Sequence, residues 1–402
     1  MIGRRALTAG LAGFPLLRAR AATLDGPIRL AVMNDQNSVY AAAGGAGTVA
    51  AVRLAIEDFG GKVAGVPIEL RVLDHQNKPD IGSSLASQAY DQAGVDAVFD
   101  IGNSAISLAV QEIARARGKV VIHVGSAHDA LYGRACAPTA ALWTFDTYSL
   151  AHGLTQAVYD KGGTSWFFIS ADYAFGAAMQ AEATKVLESL GGKVVGSVRH
   201  PVGTSDFSAY LLQAQASGAT TIALANAVGD TVNAAKQAFE FGIGTKQKLA
   251  TLIFYLTSVH ELGAENIQGL QYLAAFYWDR NERSRRLGRR FAAIRGGAMP
   301  NETQAGNYSA ALHYLKAVEA TGSRDGLTVM RQMKAVHVDD DYTQDTVLRA
   351  DGRLMKDYFL AQVKAPADVH AGWDLLNLLE TVPAAKVIRP IEGGGCTSLD
   401  PA

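Results

Sequence analysis

The sequence predicts an α/β fold with two lobes, each built on a parallel sheet. From residue 28 onwards, short runs rich in β-branched residues alternate with longer amphipathic segments. The predicted strands are almost continuously apolar, which is typical of parallel strands that helices cover on both faces. The alternation occurs twice, in two units of roughly 120 residues, which is an ordinary size for a domain.

The first unit contains four predicted strands separated by three predicted helices. Glycine, proline or aspartate bounds each strand, and these residues interrupt extended structure. The predicted strands are residues 28–33, 68–73, 95–101 and 120–124. The predicted helices are residues 48–59, 81–93 and 105–117.

The second unit repeats this pattern. Its predicted strands are residues 166–169, 194–198, 222–225 and 249–255. Its predicted helices are residues 174–190, 207–216 and 231–241.

Beyond residue 276 the pattern changes to helices and then to a pair of strands. The helices are predicted at residues 282–295, 305–321 and 326–334. The strands, at 345–349 and 358–363, flank an Asp351-Gly352 turn and so suggest a hairpin. Because the late helices have no parallel sheet of their own, they must pack on a lobe that is already formed. The chain therefore has to cross between the lobes more than once.

Composition excludes several classes of protein. The chain has 402 residues, 49% of them hydrophobic and 19% charged, with 41 glycines, which rules out disorder, collagen and a coiled coil. Lys and Arg number 37 against 38 Asp and Glu, so no basic field recruits nucleic acid or an anionic membrane. Two cysteines are too few for a four-thiolate zinc site. We expect no metal and no cofactor.

The N-terminus resembles an export signal. Arg4-Arg5 precede an uncharged, mostly apolar run at residues 6–17, and the small residues Ala19 and Ala21 follow it. This order predicts a signal at residues 1–21, and the paired arginines favour the twin-arginine route. The run is shorter than the ~20 residues that span a bilayer. The alternative is an N-terminal arm of a cytosolic protein.

The two cysteines are candidates for one disulfide. An exported protein folds in an oxidising compartment, where Cys136 and Cys396 can pair. The alternative is two free, buried thiols. Neither cysteine has neighbours that suggest a nucleophile or a metal ligand.

Small polar residues follow the predicted strands, and several of them open the next helix. Ligands of open parallel sheets bind beyond the carboxyl ends of the strands, where free backbone N–H groups suit a carboxylate. The alternative for each residue is a plain helix cap, above all for Ser104 and Asp206. The candidate binding residues at these ends are Asp35, Gln36, Asn103, Ser104, Ser126, Ala127, His128, Tyr173, Asn226 and Ala227.

Several short motifs occur in an order and spacing that resemble a known family. They are Ser-Ala-Asp-Tyr-Ala-Phe-Gly at residues 170–176, Thr-Ser-Asp-Phe-Ser at 204–208, Ala-Asn-Ala at 225–227, and Asp-His-Gln-Asn at 74–77 after the helix at 50–58. Over residues 27–395 the sequence is similar to the type I periplasmic solute-binding proteins of ABC importers. Within that family it resembles the branched-chain amino-acid receptors.

The resemblance implies two Rossmann-like lobes joined by three hinge crossovers, with a small ligand between them. Lobe 1 would be residues 27–148 and 277–348, lobe 2 residues 149–276 and 349–392, and residues 393–402 a C-terminal tail. Members of the family act in the periplasm, deliver solute to an ABC permease in the inner membrane and catalyse nothing. We expect the chain to act in the same way, as a monomer.

The resemblance also carries over ligand contacts. In lobe 1 they become Asn103, Ser104, Ser126, Ala127 and His128. In lobe 2 they become Phe175, Asn226 and Ala227.

One departure from the family bears on the ligand. Amino-acid receptors of this family place an acidic residue after the strand predicted here at 249–255, where it meets the ligand's ammonium group. This sequence has Phe254-Tyr255-Leu256 instead, and the family's aromatic residue after Ala225 is replaced by Ala227. A buried ammonium without a partner loses roughly 3–5 kcal/mol.

Two explanations of this departure remain open. Either Asp35, Asp172 or Asp230 replaces the missing acid, or the ligand has no ammonium. We favour an aromatic or hydroxylated carboxylate, bound at its acid end by Ser104, Ser126 and His128. Aromatic rings such as Phe175 and Tyr255 would flank its body. The alternative ligand is a branched-chain amino acid or an amide.

An enzyme is the main competing interpretation. Gly45 and Gly47 match the glycine pattern of a dinucleotide-binding fold, which would make the chain an NAD-dependent oxidoreductase. In that fold the first glycine directly follows the strand, whereas residues 34–44 intervene here. No Gly-x-Ser-x-Gly or His-Glu-x-x-His motif is present. The sequence therefore predicts a binding protein and not an enzyme.

Overall fold

The structure is a computed structural model and describes residues 24–399. These residues form thirteen β-strands in three sheets, together with thirteen α-helices. The export signal predicted at residues 1–21 lies outside the described residues, as do residues 400–402 of the predicted tail. The prediction of an α/β fold with parallel sheets is confirmed.

The strands and helices follow one another along the whole described chain. The strands are β1 (Ile28–Asn34), β2 (Lys62–Val63), β3 (Val66–Asp74), β4 (Ala97–Asp100), β5 (Val120–His123), β6 (Ala140–Leu142), β7 (Ser165–Ala171), β8 (Lys193–His200), β9 (Thr221–Ala225), β10 (Lys248–Thr251), β11 (Gln271–Ala274), β12 (Tyr358–Val363) and β13 (Leu376–Val382). The helices are α1 (Gly45–Asp58), α2 (Pro79–Asp91), α3 (Ser104–Ala116), α4 (Thr147–Tyr159), α5 (Ala174–Ser189), α6 (Ser208–Ala216), α7 (Gly229–Glu240), α8 (Leu256–Leu262), α9 (Ala264–Ile267), α10 (Glu282–Ile294), α11 (Glu302–Thr321), α12 (Gly326–Ala335) and α13 (Ala384–Val387).

The first sheet has the order β2-β3-β1-β4-β5-β6, and all of its strands except β2 run parallel. Helices cover both faces, as continuously apolar strands require. On one face Val52 of α1, Tyr314 of α11 and Met330 of α12 share a buried core with the sheet. On the other face α2 and α3 pack through Tyr90 and Ile106.

The second sheet has the order β10-β9-β7-β8 and is parallel throughout. A third sheet, β11-β12-β13, is antiparallel. The predicted hairpin between residues 345–349 and 358–363 is wrong, because β12 pairs with β11 and β13. The turn itself exists, with Gly352 at a φ of 84°, but only the isolated bridge between Leu348 and Leu354 closes it. β12 instead pairs with β11 and β13, both of which lie farther from it along the chain than the strand that the local turn would have supplied.

The chain passes between the first sheet and the other two at three connections. It leaves the first sheet between β6 and α4, returns between β11 and α10, and leaves again before β12. Sequentially distant helices α10, α11 and α12 therefore pack on the first sheet. The expectation that the late helices would return to an existing lobe is met by this packing.

A buried ion pair joins the third connection to the first. The Arg353 side chain is wholly buried, and its Nε donates to Asp146 Oδ2 at 2.8 Å. Its other nitrogens donate to the carbonyl oxygens of Leu142 and Thr144 and to the Tyr358 hydroxyl. Every polar direction of the guanidinium is thus used, which is the condition under which a buried charge is tolerated.

A second buried cation joins the third connection to the second. Lys356 Nζ donates to the carbonyl oxygen of Ala275 and lies 4.8 Å from the ring centre of Tyr342. Burial, and then the charges of Arg280 and Arg353, lower the pKa of Lys356 to about 7. All three connections are therefore tied together through one short segment of chain.

The C-terminal segment folds back onto the loop after β5. Cys136 and Cys396 form a disulfide with Cα atoms 5.5 Å apart, closing a loop of 260 residues. The Arg389 guanidinium pairs with the Asp129 carboxylate and lies 4.9 Å from the ring centre of Tyr132. These contacts attach the end of the chain close to the first connection.

We expect Arg353→Met to lower the free energy of unfolding by about 3–5 kcal/mol, because it leaves the buried Asp146 carboxylate without its cation. Adding Asp146→Asn should recover part of this loss. The neutral amide still accepts the hydrogen bond that Ser149 N donates to the carboxylate and caps α4. Urea unfolding measures both changes.

The matched control is Arg115→Met, because Arg115 and Glu112 form an exposed ion pair. Its loss should stay below about 1 kcal/mol. Equal losses for the Arg353 and Arg115 variants would contradict the structural importance of the buried pair.

We expect the intact mass to be two hydrogens below the fully reduced formula, because Cys136 and Cys396 are bonded. Cys136→Ser and Cys396→Ser should each lower stability by about 2–5 kcal/mol, and by equal amounts, since each removes the same bond. Full reaction of both thiols with a blocking reagent in the absence of reductant would refute the disulfide.

Candidate functional site

A cavity lies where the carboxyl ends of the two parallel sheets face each other. Its empty volume is about 440 Å³, part of which is open to solvent. The lining residues on the side of the first sheet are Asn34, Asp35, Tyr40, Ala43, Gly44, Asp100, Gly102, Ser104, Gly125, Ala127 and Thr303. Those on the side of the second sheet are Tyr173, Phe175, Ala227, Val228, Ile253 and Tyr255.

Six helices begin at this cavity. On the first side, Gly44 precedes α1, and Ser104 and Thr303 lie in the first turns of α3 and α11. On the second side, Tyr173, Val228 and Tyr255 are the N-caps of α5, α7 and α8. Helix N-termini carry partial positive charge and unpaired N–H groups. The cavity therefore favours an anionic group although none of its described lining residues is Lys, Arg or His.

The first side supplies a pair of hydroxyl groups next to the start of α3. Ser126 Oγ donates to Ser104 Oγ at 3.3 Å. Ser104 lines the cavity, whereas Ser126 is buried behind it. Asn103 caps α3 by accepting from the amides of Ala105 and Ile106, which places Ser104 at the first helical position. Sequence position alone could not separate the hydroxyl that faces the cavity from the one that supports it.

The second side is largely aromatic. Tyr173 and Phe175 lie with ring centres 5.9 Å apart, and Tyr255 packs edge-on against Phe145 at 6.0 Å. Burial raises the pKa of the Tyr173 and Tyr255 phenols above the ordinary value. Both phenols are therefore protonated at neutral pH and can act as hydrogen-bond donors.

Two hydrogen bonds cross the cavity mouth directly. The hydroxyls of Tyr40, after β1, and Tyr173, after β7, are 2.5 Å apart. Gly229 N of α7 donates to Val39 O at 3.3 Å. A Cβ atom at Gly229 would lie 2.9 Å from Val39 Cγ2, so this approach favours glycine. The two walls are thus in contact.

Two acidic residues line the cavity, both on the first side. Asp35 is committed to its own loop, where it accepts from the amides of Ser38 and Tyr40 at 2.8 and 2.9 Å. Asp100, at the end of β4, accepts from Asn34 Nδ2 at 2.8 Å through Oδ2. Its Oδ1 has no hydrogen-bond partner among the described residues.

Sequence reasoning missed Asp100 because it was assigned to the interior of a predicted strand. The available signal was an acidic residue at the end of an otherwise apolar run. The backbone there is unusual, with φ of 80° at Asp100 and 56° at Ile101. Burial raises the pKa of the Asp100 carboxyl to about 6, although hydrogen bonding from Asn34 lowers it.

The structure brings together seven of the twelve residues predicted to contact a ligand. Those lining the cavity are Asp35, Ser104, Ala127, Tyr173, Phe175, Ala227 and Tyr255. The other five, Gln36, Asn103, Ser126, His128 and Asn226, do not line it.

The side chains outside the lining make local contacts instead. Gln36 donates to the Asn34 side chain. His128 Nδ1 accepts from Ala130 N at 3.2 Å and lies 3.3 Å from the Asp129 carboxylate.

Asn226 belongs to a buried network behind the end of β9. Its amide lies 3.1 Å from His200 Nε2 and accepts from Thr231 Oγ1 at 2.8 Å.

Neither of the other two candidate acids reaches the cavity. Asp172 forms an exposed ion pair with Arg199 at 3.1 Å. Asp230 accepts from Gly203 N at 2.9 Å, and burial raises its pKa to about 6. The lining on the second side therefore contains no acidic residue.

The glycines considered for a dinucleotide turn lie at the start of α1. Residues 35–44 separate β1 from this helix. A Cβ atom at Gly47 would lie 2.3 Å from Gln304 Nε2, so Gly47 permits the close packing of α1 on α11. This packing accounts for the glycine without a bound phosphate.

Among residues 24–399, no three or more His, Cys, Asp or Glu side chains are grouped so that they could hold a metal ion. No helix within that range is both long and apolar enough to cross a membrane.

Comparison with known proteins gives a consistent result. A family model described as "Periplasmic binding protein" matches residues 27–368. A periplasmic binding protein from Burkholderia mallei is 41% identical with a TM-score of 0.90, covering 93% of this chain and 99% of that chain. A branched chain amino acid ABC transporter periplasmic ligand-binding protein from Burkholderia xenovorans LB400 is 39% identical with a TM-score of 0.82, covering 93% and 100%.

A more distant structure shares the fold. The solute binding protein of an ABC transporter from R. palustris, solved in complex with benzoate, is 17% identical with a TM-score of 0.82, covering 92% of this chain and 100% of that chain. No curated protein matches the sequence.

We expect Tyr40→Phe and Tyr173→Phe to lower stability by about 0.5–1.5 kcal/mol each, because each removes one partner of the same buried hydrogen bond. The double variant should lose little more than either single variant. Urea unfolding of the four proteins gives the coupling energy.

The control is Tyr90→Phe, which removes a hydrogen bond to Val120 O within the first lobe. Its effect should add to that of Tyr40→Phe, since the two hydroxyls share no partner. Additive losses for Tyr40 and Tyr173 would show that their hydroxyls are not bonded in solution.

Proposed function

We propose that this chain, which belongs to the periplasmic binding protein family of ABC transporters, captures a small aromatic or hydroxylated carboxylate. The observation that carries the proposal is the difference in chemistry between the two sides of the cavity. Helix N-termini flank the cavity on both sides, but most of its polar side chains and both of its acids lie on the first side, whereas the second side is aromatic and aliphatic and contains no acid.

The acid end of the ligand fits the start of α3. Ser104 Oγ faces the cavity there, and its hydroxyl partner Ser126 helps to orient it. The partial positive charge of the helix N-terminus stabilises a carboxylate. The sequence also suggested His128 for this end, but its ring contacts Ala130 and Asp129, so we assign the carboxylate to Ser104 and the backbone of α3.

The body of the ligand fits the second side. Phe175 and Tyr255 offer ring faces, and Val228 and Ile253 offer aliphatic contacts. An ammonium group placed against this wall would lose its hydration without gaining a counter-charge, a penalty of roughly 3–5 kcal/mol. This penalty favours ligands without an ammonium.

A branched-chain amino acid or an amide is the second candidate. Two observations favour it: the printed name of the 39% identical relative, and the two acids, Asp35 and Asp100, on the first side of the cavity. Asp35 already accepts several hydrogen bonds within its own loop. An ammonium would therefore depend on Asp100 alone.

The receptor binds by closing two lobes on the ligand. In our proposal lobe 1 comprises residues 27–148 and 277–348, and lobe 2 comprises residues 149–276 and 349–392. Closure brings contacts from both walls to the ligand, so affinity comes from differential binding to the closed state and requires no reaction.

Location and partner follow from this role. We propose that residues 1–21 direct export to the periplasm. The receptor then acts there as a monomer, without a cofactor, and presents the closed form to an ABC permease in the inner membrane.

We expect benzoate, hydroxybenzoates and hydroxycinnamates to raise the melting temperature, whereas leucine, valine and short amides should not. A ligand at about 100 times its Kd adds about 2.7 kcal/mol of stability. Thermal-shift measurements on the unaltered chain test this expectation.

Ser104→Ala should reduce the shift caused by carboxylates. The control is Ser107→Ala, because Ser107 lies on the same helix but its hydroxyl donates to Ile101 O away from the cavity lining. Stabilisation by amino acids alone would refute the carboxylate assignment.

A further inference from the structure

We infer that Asp100 makes ligand capture proton-coupled: its carboxyl group takes up a proton from solvent when the ligand binds and donates a hydrogen bond to the ligand's carboxylate. The inference rests on the proposed carboxylate ligand. It extends that proposal, because it assigns the group whose protonation state responds to the charge of the ligand. The covalent bonds of the ligand do not change, and the proton binds to a carboxylate oxygen of Asp100.

The position of the carboxyl group is set by its surroundings. Asp100 is fully buried and lines the cavity. Its two oxygens occupy space left free by two glycines that also line the cavity. A Cβ atom at Gly44 would lie 2.8 Å from Oδ2, and one at Gly125 would lie 2.5 Å from Oδ1. The carboxyl group therefore forms part of the floor of the cavity.

The two oxygens differ in their partners. Asn34 Nδ2 donates to Oδ2 at 2.8 Å, so this oxygen is satisfied. Oδ1 is buried and has no hydrogen-bond partner among the described residues. A buried oxygen without a partner is costly, which favours a proton on Oδ1 or a contact from a ligand.

No cation offsets the charge of this carboxyl group at the cavity. Asn34 from β1, Thr48 from α1 and Asn307 from α11 lie closest to it and are neutral. None of the described lining residues is Lys, Arg or His.

The titratable groups around Asp100 are a histidine, acids and phenols. His123 is paired with Asp100 between β5 and β4, its Nε2 lies 2.8 Å from Gln111 Oε1, and burial lowers its pKa to about 3. Burial raises the pKa of Tyr255, and the charges of Glu302, in the first turn of α11, and of Asp100 raise it further. Burial raises the pKa of Glu302 to about 8. Asp35 is the second acid in the lining.

Two carboxylates in one buried cavity without a cation repel each other, and one of them then keeps a proton. Ser104 and Asp100 line the same small cavity, so a ligand carboxylate at Ser104 is close to Asp100. Burial already raises the pKa of free Asp100 to about 6. A neighbouring anion raises it further, and the protonated oxygen becomes a donor to that anion.

The direction of the pH dependence follows. The pKa of Asp100 is higher in the complex than in the free receptor, so binding takes up a proton above the free pKa of about 6. Affinity is then highest at low pH and falls by up to about tenfold per pH unit as the pH rises. A ligand with an ammonium group would give the opposite slope, because it would bind to ionised Asp100.

Isothermal titration calorimetry with benzoate and 4-hydroxybenzoate tests the inference on the unaltered chain. Titrations from about pH 5.5 to about pH 8.5, in buffers with different ionisation enthalpies, measure both Kd and the protons taken up. We expect nearly one proton per ligand near pH 7.5 and weaker binding at each higher pH. Both ligands stay ionised at the carboxylate over this range.

Asp100→Asn provides the matched variant. Its amide is neutral and can donate like the protonated acid, and asparagine tolerates the positive φ at this position. We expect it to bind both ligands without proton uptake and with a flat pH profile. The control is Asp230→Asn, because burial also raises the pKa of Asp230 to about 6 but this residue does not line the cavity. It should keep the slope of the unaltered chain.

The outcomes separate the inference from the proposed function. Binding of benzoate by the unaltered chain without proton uptake, or a slope that survives in Asp100→Asn, overturns the inference and leaves the carboxylate receptor intact. Binding of leucine with no binding of any aromatic carboxylate overturns the proposed function. Because proton uptake is measured on the unaltered chain, the inference can be refuted even if a variant folds poorly.

Discussion

Arg353 places a fully buried guanidinium group between two of the connections that join the sheets. Transferring such a charge from water is costly, so it is tolerated only where every donor finds an acceptor. Asp146 supplies the counter-charge, and the carbonyl groups of Leu142, Thr144 and Leu354 and the Tyr358 hydroxyl accept the remaining hydrogen bonds. Lys356 adds a bond to the second connection from the same short segment. These bonds hold the three connections together, and this keeps the two walls of the cavity facing each other.

In our proposal the cavity binds an anionic ligand although none of its described lining residues is positively charged. Six helix N-termini surround it, and each contributes only partial charge. The buried carboxyl group of Asp100 opposes an anionic ligand as long as it is ionised. This repulsion is reduced by the surroundings of Asp100, because burial among uncharged groups favours the protonated form of its carboxyl group. In the proposed complex, burial thus changes this carboxyl group from a repulsive one into a donor.

The sequence predicts the parallel sheets well because their signal is local. Strands β1 and β5 are short apolar runs with clear boundaries, and both occur within a residue or two of their predicted positions. The pairing of β12 was missed because its partners β11 and β13 lie outside the local hairpin that the turn suggested. Local patterns describe elements, whereas long-range pairing depends on which surfaces remain free after the sheets have formed.

The candidate site shows the same limit at the level of single side chains. Strand ends identified the correct edge of each sheet, so Ser104 and Tyr173 were placed at the cavity. Position along the chain does not give side-chain direction, and Asn226 instead points into a buried network with His200 and Thr231. The acidic residue at the end of an apolar run marked Asp100, but its environment could not be predicted, because it includes Asn307, more than two hundred residues away.

The proposed recognition of a carboxylate without arginine or lysine has a functional consequence. A guanidinium group would bind a carboxylate through two charge-assisted hydrogen bonds, which are about twice as strong as neutral ones. Such a contact would persist when the lobes open, because it needs groups from one lobe only. Helix N-termini and hydroxyls hold the anion more weakly, so tight binding requires the aromatic wall of the other lobe as well. Opening the lobes then removes a large share of the affinity, which is the property that a receptor needs in order to release its ligand to a permease.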